Sequence, residues 1–167
     1  TPQDYGSCMV IMRSAIDRLW PGHNHNGLAP LLIGPDENPR ADWLHEMLQA
    51  GGNVADVVTY HLYAGYGLDP SLKNELVNPA FLDFTRVLAG NIKRVVDEAA
   101  PRAQLWVGET AAAWHSGEAG ITDAFESGFW FVDQLGTASC LSFCLLSPSY
   151  PFSSHITYLY VHSPSLT

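Results

Sequence analysis

The sequence predicts an α/β fold built around a parallel sheet. Segments in which apolar residues recur at helical spacing alternate with short runs rich in β-branched and aromatic residues, and this order is typical of right-handed βαβ units. The chain has 167 residues, of which 47% are hydrophobic and 15% are charged. A single packed domain with a buried core is therefore expected.

The first half of the chain contains four predicted elements, in the order helix, strand, helix and strand, which cover residues 5–20, 30–34, 40–50 and 57–63. Asp4 is the predicted cap of the first helix, and Pro21 and Gly22 end it. Gly51 and Gly52 close the second helix. The runs "PLLIG" and "VVTYHLY" have the composition of buried strands.

The second half predicts a long helix, a third strand and one more helix. Asn78 and Pro79 supply the cap and the first-turn proline of the long helix. Its predicted buried stripe is Phe81, Phe84, Leu88, Ile92, Val95 and Ala99. The strand is "LWVGET" at 105–110, followed by a loop over 111–121 and a helix over 122–135 that ends at Gly136. On that helix the predicted core residues are Phe129, Trp130 and Phe131.

Two α/β folds fit this alternation: an open doubly wound sheet, or part of an eight-fold β/α barrel, which needs about 250 residues when complete. No Gly-rich phosphate loop follows a strand, which disfavours a nucleotide-binding doubly wound fold. Asp36, His61 with Tyr63, and Glu109 each lie at the carboxyl end of a different strand. Parallel α/β proteins build their sites on that edge, so the polar residues favour the barrel.

Charge and composition exclude several classes of function. The net charge is −9 with only eight Lys and Arg, so nucleic acid is not an expected partner. No apolar run has the length of a membrane span. Cys8, Cys140 and Cys144 lack zinc-site spacing and are predicted to be buried free thiols, so neither a cofactor nor a metal site is predicted. The pair His23 and His25 is read as a solvated loop.

Glu109 is the strongest candidate for chemistry. A carboxylate at the end of an apolar strand lies near the interior, where it costs free energy unless it has a partner or a role. Glycoside hydrolysis uses two carboxyl groups, one as nucleophile or base and one as acid. Tyr63 or His61 can orient such a carboxylate through a hydrogen bond. The residues alone leave an equal alternative, in which Glu109 caps the loop after the strand. Asp36 is likewise either a site-rim residue or part of a turn after Pro35.

Two long segments carry a resemblance to a known family. The stretch "VVTYHLYAGYGLDPSLKNELVNPAFL" and the stretch "LWVGETAAAWHSGEAGITDAFESGFWFVDQLGTAS" resemble the plant-like heparanases, the endo-β-glucuronidase group of glycoside hydrolase family 79. The match runs from about Asp4 to Ser139 and includes "LLIGPD". The resemblance implies an incomplete (β/α)8 TIM barrel comprising about strands 5–8 with their helices.

The resemblance also implies roles for individual residues. Glu109 would be the nucleophile of a retaining mechanism on glucuronide linkages of cell-surface or cell-wall glycans. Tyr63 would contact that nucleophile and His61 would line the site. The backbone around Ser116 and Gly117 would offer N–H groups to the glucuronate carboxylate. Separately, the ring of Trp114, like that of Tyr63, can stack on a sugar face.

The sequence departs from the family pattern at both ends. The family's acid/base glutamate, in an Asn-Glu-Pro type motif, would lie before Thr1, so the missing N-terminal half of the barrel is an expected partner and the chain alone is expected to be inactive. The chain has no initiator Met and no signal-like leader, as expected of a processed form or a fragment. Residues 1–139 are predicted to be the barrel half, and 140–167 a divergent tail that is either disordered or a mispredicted gene end.

Two further expectations depend on the same reading. The family resemblance implies the secretory pathway, with an extracellular, cell-wall, lysosomal or vacuolar location and peripheral membrane association as one option. The alternative function is a truncated family member without catalysis that at most binds sugar through Trp114 and Tyr63. A flavodoxin-like binding domain is a third reading, which a curved sheet would exclude.

Overall fold

The computed structural model describes residues 1–21, 30–141 and the short strand at 144–145. Its elements in chain order are α1 (Pro2–Leu19), β1 (Ile33–Glu37), α2 (Ala41–Gly51), β2 (Val57–Tyr66), α3 (Leu72–Glu75), α4 (Pro79–Ala99), β3 (Gln104–Trp114), α5 (Ser127–Cys140) and β4 (Cys144–Leu145). The strands form one sheet in the order β1-β2-β3-β4, and each neighbouring pair is parallel. The predicted α/β class with a parallel sheet is confirmed.

Helices α1, α2 and α4 pack on one face of this sheet. Val58, Tyr60 and Leu62 of β2 and Leu105 and Val107 of β3 belong to the main apolar cluster, together with buried residues of α1, α2 and α4. Side chains alternate between the faces of a strand, so His61 and Tyr63 lie on the opposite face. A smaller apolar cluster sits near the carboxyl end of the strands, around α3 and the start of α5.

Helix α1 begins earlier than its sequence pattern predicts. Thr1 is the N-cap, and its hydroxyl accepts a hydrogen bond from the Asp4 backbone N–H at 3.2 Å. The Asp4 carboxylate accepts from the Thr1 backbone amine at 3.2 Å, which completes a capping box, and from the Thr1 hydroxyl at 2.7 Å. The hydroxyl bond and then the charged amine lower the pKa of Asp4. The prediction that Asp4 is the cap is therefore wrong, because Asp4 is the third helical residue and serves the cap from inside the helix.

Helix α4 is capped as predicted but buries a different stripe. The Asn78 side chain accepts a hydrogen bond from the Ala80 N–H at 3.0 Å. The buried residues are Leu82, Thr85, Ala89, Ile92, Val95 and Val96, whereas the predicted Phe84 is 56% exposed. The buried stripe is rotated because the small residues Thr85 and Ala89 allow close packing. The buried Thr85 hydroxyl donates a hydrogen bond to the Leu82 carbonyl at 2.7 Å.

Several predicted boundaries are wrong near the carboxyl edge of the sheet. β2 and β3 continue to Tyr66 and Trp114, which pair with each other, so residues 111–114 are strand rather than loop. Strand pairing outweighs the weak β-propensity of the alanines there. The final helix runs over Ser127–Cys140, because residues 120–126 form turns, and Gly136 lies inside it.

The remaining predictions concern the burial of cysteines and aromatic residues, the tail, and membrane spans. Cys8 and Cys140 are exposed, so the prediction that these thiols are buried is wrong for both. On α5, Trp130 is buried as predicted, but Phe129 is 53% exposed. His23, His25 and almost all of the predicted tail at 140–167 lie outside the described residues, so those predictions stay untested. None of the described helices is long and apolar enough to cross a membrane.

At the amino edge of the sheet, one carboxylate joins three segments. Asp56, just before β2, forms an ion pair with Arg13 of α1 and accepts a hydrogen bond from the Leu32 N–H at 2.7 Å. Arg13 also donates through Nε to the Val54 carbonyl at 3.2 Å. The Arg13 side chain is mostly buried, so these contacts fix α1 against the start of β1 and β2.

Candidate active site

Two one-residue bulges lie at the same level on either side of β2. Between β1 and β2 the pairing passes from Pro35 with Thr59 to Glu37 with Tyr60, which leaves Asp36 as the extra residue. Between β2 and β3 it passes from Tyr60 with Val107 to His61 with Glu109, which leaves Gly108 extra. Bulges of this kind re-aim side chains and are frequent beside active sites.

The bulge at Gly108 decides which way Glu109 points. Without the bulge, with Gly108 paired to His61 in regular register, Glu109 would pair with Leu62, whose side chain belongs to the helix-covered core. With it, Glu109 pairs with His61 and shares the open face of the sheet. The carboxylate therefore projects away from the helices, where a charged group is not trapped in an apolar core.

The imidazole of His61 lies between two carboxylates. Its Nδ1 is 3.6 Å from Glu109 Oε2, and its Nε2 is 3.1 Å from Asp36 Oδ1. The Asp36 contact is within ion-pair distance, but Nε2 is buried and makes no hydrogen bond. The bulges thus bring three titratable side chains from three strands into one row at the carboxyl edge.

The space around position 108 explains why a glycine precedes the glutamate. A Cβ atom built at this position would overlap the Asp36 carboxylate. Any other residue at position 108 would therefore displace that carboxylate or the bulged strand. Asp36 itself has a φ of 63°, a left-handed conformation that is uncommon for residues other than glycine and is best tolerated by Asn and Asp.

A cavity of about 1090 Å³ opens on this face of the sheet. Five of the six predicted site residues line it, namely Glu109, Tyr63, Trp114, Ser116 and Gly117. His61 is the exception, since it contacts Glu109 without lining the cavity. Its ring meets the Tyr63 ring edge-on, with centroids 6.4 Å apart. The described residues show no hydrogen bond from the Tyr63 hydroxyl to Glu109, so the implied contact between them stays a prediction.

The loop after β3 forms one wall of the cavity in an unusual conformation. His115, Ser116 and Gly117 have φ values of 65°, 64° and 69°, so the backbone is left-handed over three consecutive residues. Neighbours enforce this path: a Cβ at Gly67 would lie 2.7 Å from the Gly117 carbonyl oxygen, and one at Gly117 would overlap the Thr122 hydroxyl. Within the described residues, the backbone N–H groups of Ser116 and Gly117 make no hydrogen bond.

Aromatic and small residues make up most of the remaining wall. Trp114 is 53% exposed and stacks on Tyr66, with ring centroids 4.6 Å apart and an interplanar angle of 29°. Trp130 and Phe131, predicted only as core, also line the cavity, as do Phe125 and Asp123. The described part of the wall contains no Lys or Arg, and no cluster of His, Cys, Asp or Glu in the described ranges is suited to a metal ion.

Sequence reasoning missed the contact between Asp36 and His61. It also missed that Trp130 and Phe131 line the cavity. The pattern "GPD" placed Asp36 at a strand end but gave no sign of the bulge that turns it towards His61. The spacing of the aromatics on α5 predicted burial, and Trp130 is indeed buried. No signal in the spacing indicated that the buried ring also borders the cavity.

Comparisons with known proteins identify relatives over most of the chain. Residues 1–136 match the family described as Glycosyl hydrolase family 79, N-terminal domain. Heparanase-like protein 2 of Arabidopsis thaliana is 32% identical over 137 residues, which is 81% of this chain and 25% of that protein. Baicalin-beta-D-glucuronidase of Scutellaria baicalensis is 28% identical over 149 residues, which is 86% of this chain and 28% of that protein.

An animal relative shows the same pattern. Heparanase of Bos taurus is 34% identical over 112 residues, which is 65% of this chain and 20% of that protein. The chain thus spans about a quarter of the length of the curated relatives it matches. The family match covers well over half of the chain, which belongs to glycosyl hydrolase family 79.

Proposed function

We propose that this chain carries the nucleophile of a retaining glycoside hydrolase that acts on glucuronide linkages, with Glu109 in that role. The observation that carries the proposal is the bulge at Gly108, which aims Glu109 at an open, sugar-sized cavity at the carboxyl edge of the sheet. The names of the relatives, heparanase and a baicalin β-D-glucuronidase, support a glucuronide as the substrate class.

In the proposed reaction a Glu109 oxygen attacks the anomeric carbon and forms a glycosyl-enzyme ester. The bond to the leaving oxygen breaks at the same time, and that oxygen takes a proton from a second carboxylic acid about 5–5.5 Å from the first. Water then attacks the anomeric carbon, whose bond to the Glu109 oxygen breaks, and gives its proton to that second group, which releases the sugar with retained configuration. By the family pattern the second group lies before Thr1, so the chain alone is expected to hydrolyse ordinary glucuronides very slowly.

The other predicted residues have supporting roles in this proposal. His61, 3.6 Å from Glu109, orients the nucleophile. The N–H groups of Ser116 and Gly117 are free to receive the glucuronate carboxylate, which needs donors because the described wall offers no Lys or Arg. Trp114 and Tyr63 present ring surface to the sugar.

We further propose that the chain forms about strands 5–8 of a (β/α)8 barrel and pairs with a preceding half. Four parallel strands in sequential order, with helices on one face, are the repeat of such a barrel. In the described residues β1 has a neighbour on one side only. Large apolar side chains of α1 are also exposed, among them Ile11 and Met12. A preceding β/α segment would cover both. The location in the secretory pathway stays a prediction from the family resemblance.

A mechanism-based probe tests the nucleophile without the second carboxylic acid. In 2-deoxy-2-fluoro-β-glucuronyl fluoride the leaving fluoride needs little protonation, so the ester can form and then accumulates. We expect mass spectrometry of the digested chain to find the added sugar on the peptide that contains Glu109. E109Q is the matched control and should remain unmodified. A folded wild-type chain that stays unlabelled, or one labelled elsewhere, would contradict the assignment.

The half-exposed Trp114 ring also supports a second candidate, a family member that binds sugar without catalysis. The same probe separates the two functions. Saturable binding of a glucuronide, measured by quenching of tryptophan fluorescence, without any ester on Glu109 would favour the binding protein.

A further inference from the structure

Asp36 has features that a structural turn does not require. Its carboxylate lies beside His61 and occupies the space that a side chain at position 108 would fill. Its backbone is held at a φ of 63°. In the part of the chain that the structure describes, no Lys or Arg pairs with this carboxylate, and the nearby Arg40 lies 4.0 Å from Glu37 instead. Among the described residues, the ion-pair contact of Asp36 is with His61.

The geometry around His61 supplies a reason for this arrangement. A buried ring nitrogen without a hydrogen bond costs free energy, and Nε2 of His61 is such an atom. The Asp36 Oδ1 atom, 3.1 Å away, is positioned to act as its acceptor. An imidazole has only two ring nitrogens, so an anchor on Nε2 also fixes where Nδ1 points. Here Nδ1 faces Glu109.

We propose that Asp36 is a positioning residue for the nucleophile and acts through His61. Its carboxylate accepts the Nε2 proton and so holds the ring, whose Nδ1 edge stands 3.6 Å from the Glu109 carboxylate and limits its rotation away from the cavity. This inference rests on the proposed function of Glu109. It assigns Asp36 no contact with the sugar and no part in bond making or breaking.

The first experiment measures how fast the activated fluoro-glucuronide labels Glu109. D36G is the main variant, because glycine tolerates the positive φ that alanine would not. We expect D36G to lower the limiting labelling rate about tenfold or more, while the probe concentration for half-maximal rate changes less than about twofold. D36N keeps an oxygen acceptor and tolerates the same φ, so it should stay within about threefold of wild type. E37A removes the neighbouring carboxylate and should leave both parameters unchanged.

The second experiment asks whether Asp36 acts through His61. H61A should slow labelling by a similar factor, and D36G should have almost no further effect in the H61A background, since coupled residues are not additive. A general loss of packing would instead change the half-maximal concentration or the melting temperature as well. Equal losses from D36G in both backgrounds would show that Asp36 acts independently of His61 and would overturn the proposal.

A third measurement does not depend on catalysis. In ¹⁵N-histidine-labelled chain, the proton on His61 Nε2 should exchange slowly with water in wild type and in D36N, and quickly in D36G. If wild type is never labelled by the probe, the proposed function fails while this measurement still decides the contact. Identical His61 spectra for wild type and D36G would overturn the proposal even if Glu109 is labelled.

Discussion

Replacing Gly108 with alanine tests the packing that sets Glu109 in place. The new Cβ would overlap the Asp36 carboxylate, so either that side chain or the bulged strand must move. Overpacking of this kind costs about 1–3 kcal/mol. The obstacle is the end of a short side chain, which can rotate, so we expect the lower end of that range. A loss of about 1 kcal/mol lowers the melting temperature by about 2–4 °C for a chain of this size.

The double variant G108A/D36G makes this prediction specific. Removing the Asp36 side chain clears the space, so G108A should cost less than about 0.5 kcal/mol in that background. G90A is the matched control, because a Cβ at Gly90 meets nothing within 4 Å and alanine favours the interior of helix α4. Thermal and urea unfolding monitored by circular dichroism give the free energies. If G108A unfolds like wild type and labels Glu109 at the wild-type rate, the Asp36 carboxylate does not restrict the residue at position 108.

Three further predictions concern other parts of the chain. R13M removes the partner of Asp56 and should lower the free energy of unfolding by about 1–3 kcal/mol in urea titrations; no change would mean that the ion pair does not hold α1. Burial raises the pKa of Tyr60 above its ordinary value of 10.0, so stability should be complete below pH 10 and fall above it as the unfolded chain ionises. Y60F should move that alkaline transition upwards, and an unchanged midpoint would contradict it. The described cavity wall has no Lys or Arg, so the rate of labelling by the fluoro-glucuronide should vary less than about twofold between 50 and 300 mM salt. Attraction by exposed cations is strongly screened over that range, and a steep decrease in the rate would reveal cations that steer the probe.

The sequence was most informative where local chemistry decides the structure. The cap at Asn78, the glycines after α2 and the β-branched run of β2 each specify an element through interactions within a few residues. The sequence also indicated that Glu109 and His61 lie towards the carboxyl edge of the sheet, because an apolar run followed by polar residues marks that part of a strand, although both strands continue beyond them.

The sequence was least informative where contacts between distant segments determine the structure. Ala111 to Ala113 continue β3 only because the end of β2 pairs with them. Phe84 fits an apolar stripe as well as Leu82 does, and only the packing partners of α4 select between the two faces. The bulges at Asp36 and Gly108 depend on the register of three strands, which no local pattern encodes. For the same reason the contact between Asp36 and His61 could not be predicted.

The extra residue at position 108 gives β3 one residue to spare at the level of the site. An in-frame deletion of that codon would remove the bulge and leave Val107 opposite Tyr60 and Glu109 opposite His61, because only the unpaired residue is lost. The pairing register, rather than the presence of Gly108, therefore determines the face on which Glu109 lies. A descendant of this chain with a gap in the aligned column of Gly108 can still present its glutamate on the open face, so such a gap does not mark loss of the nucleophile.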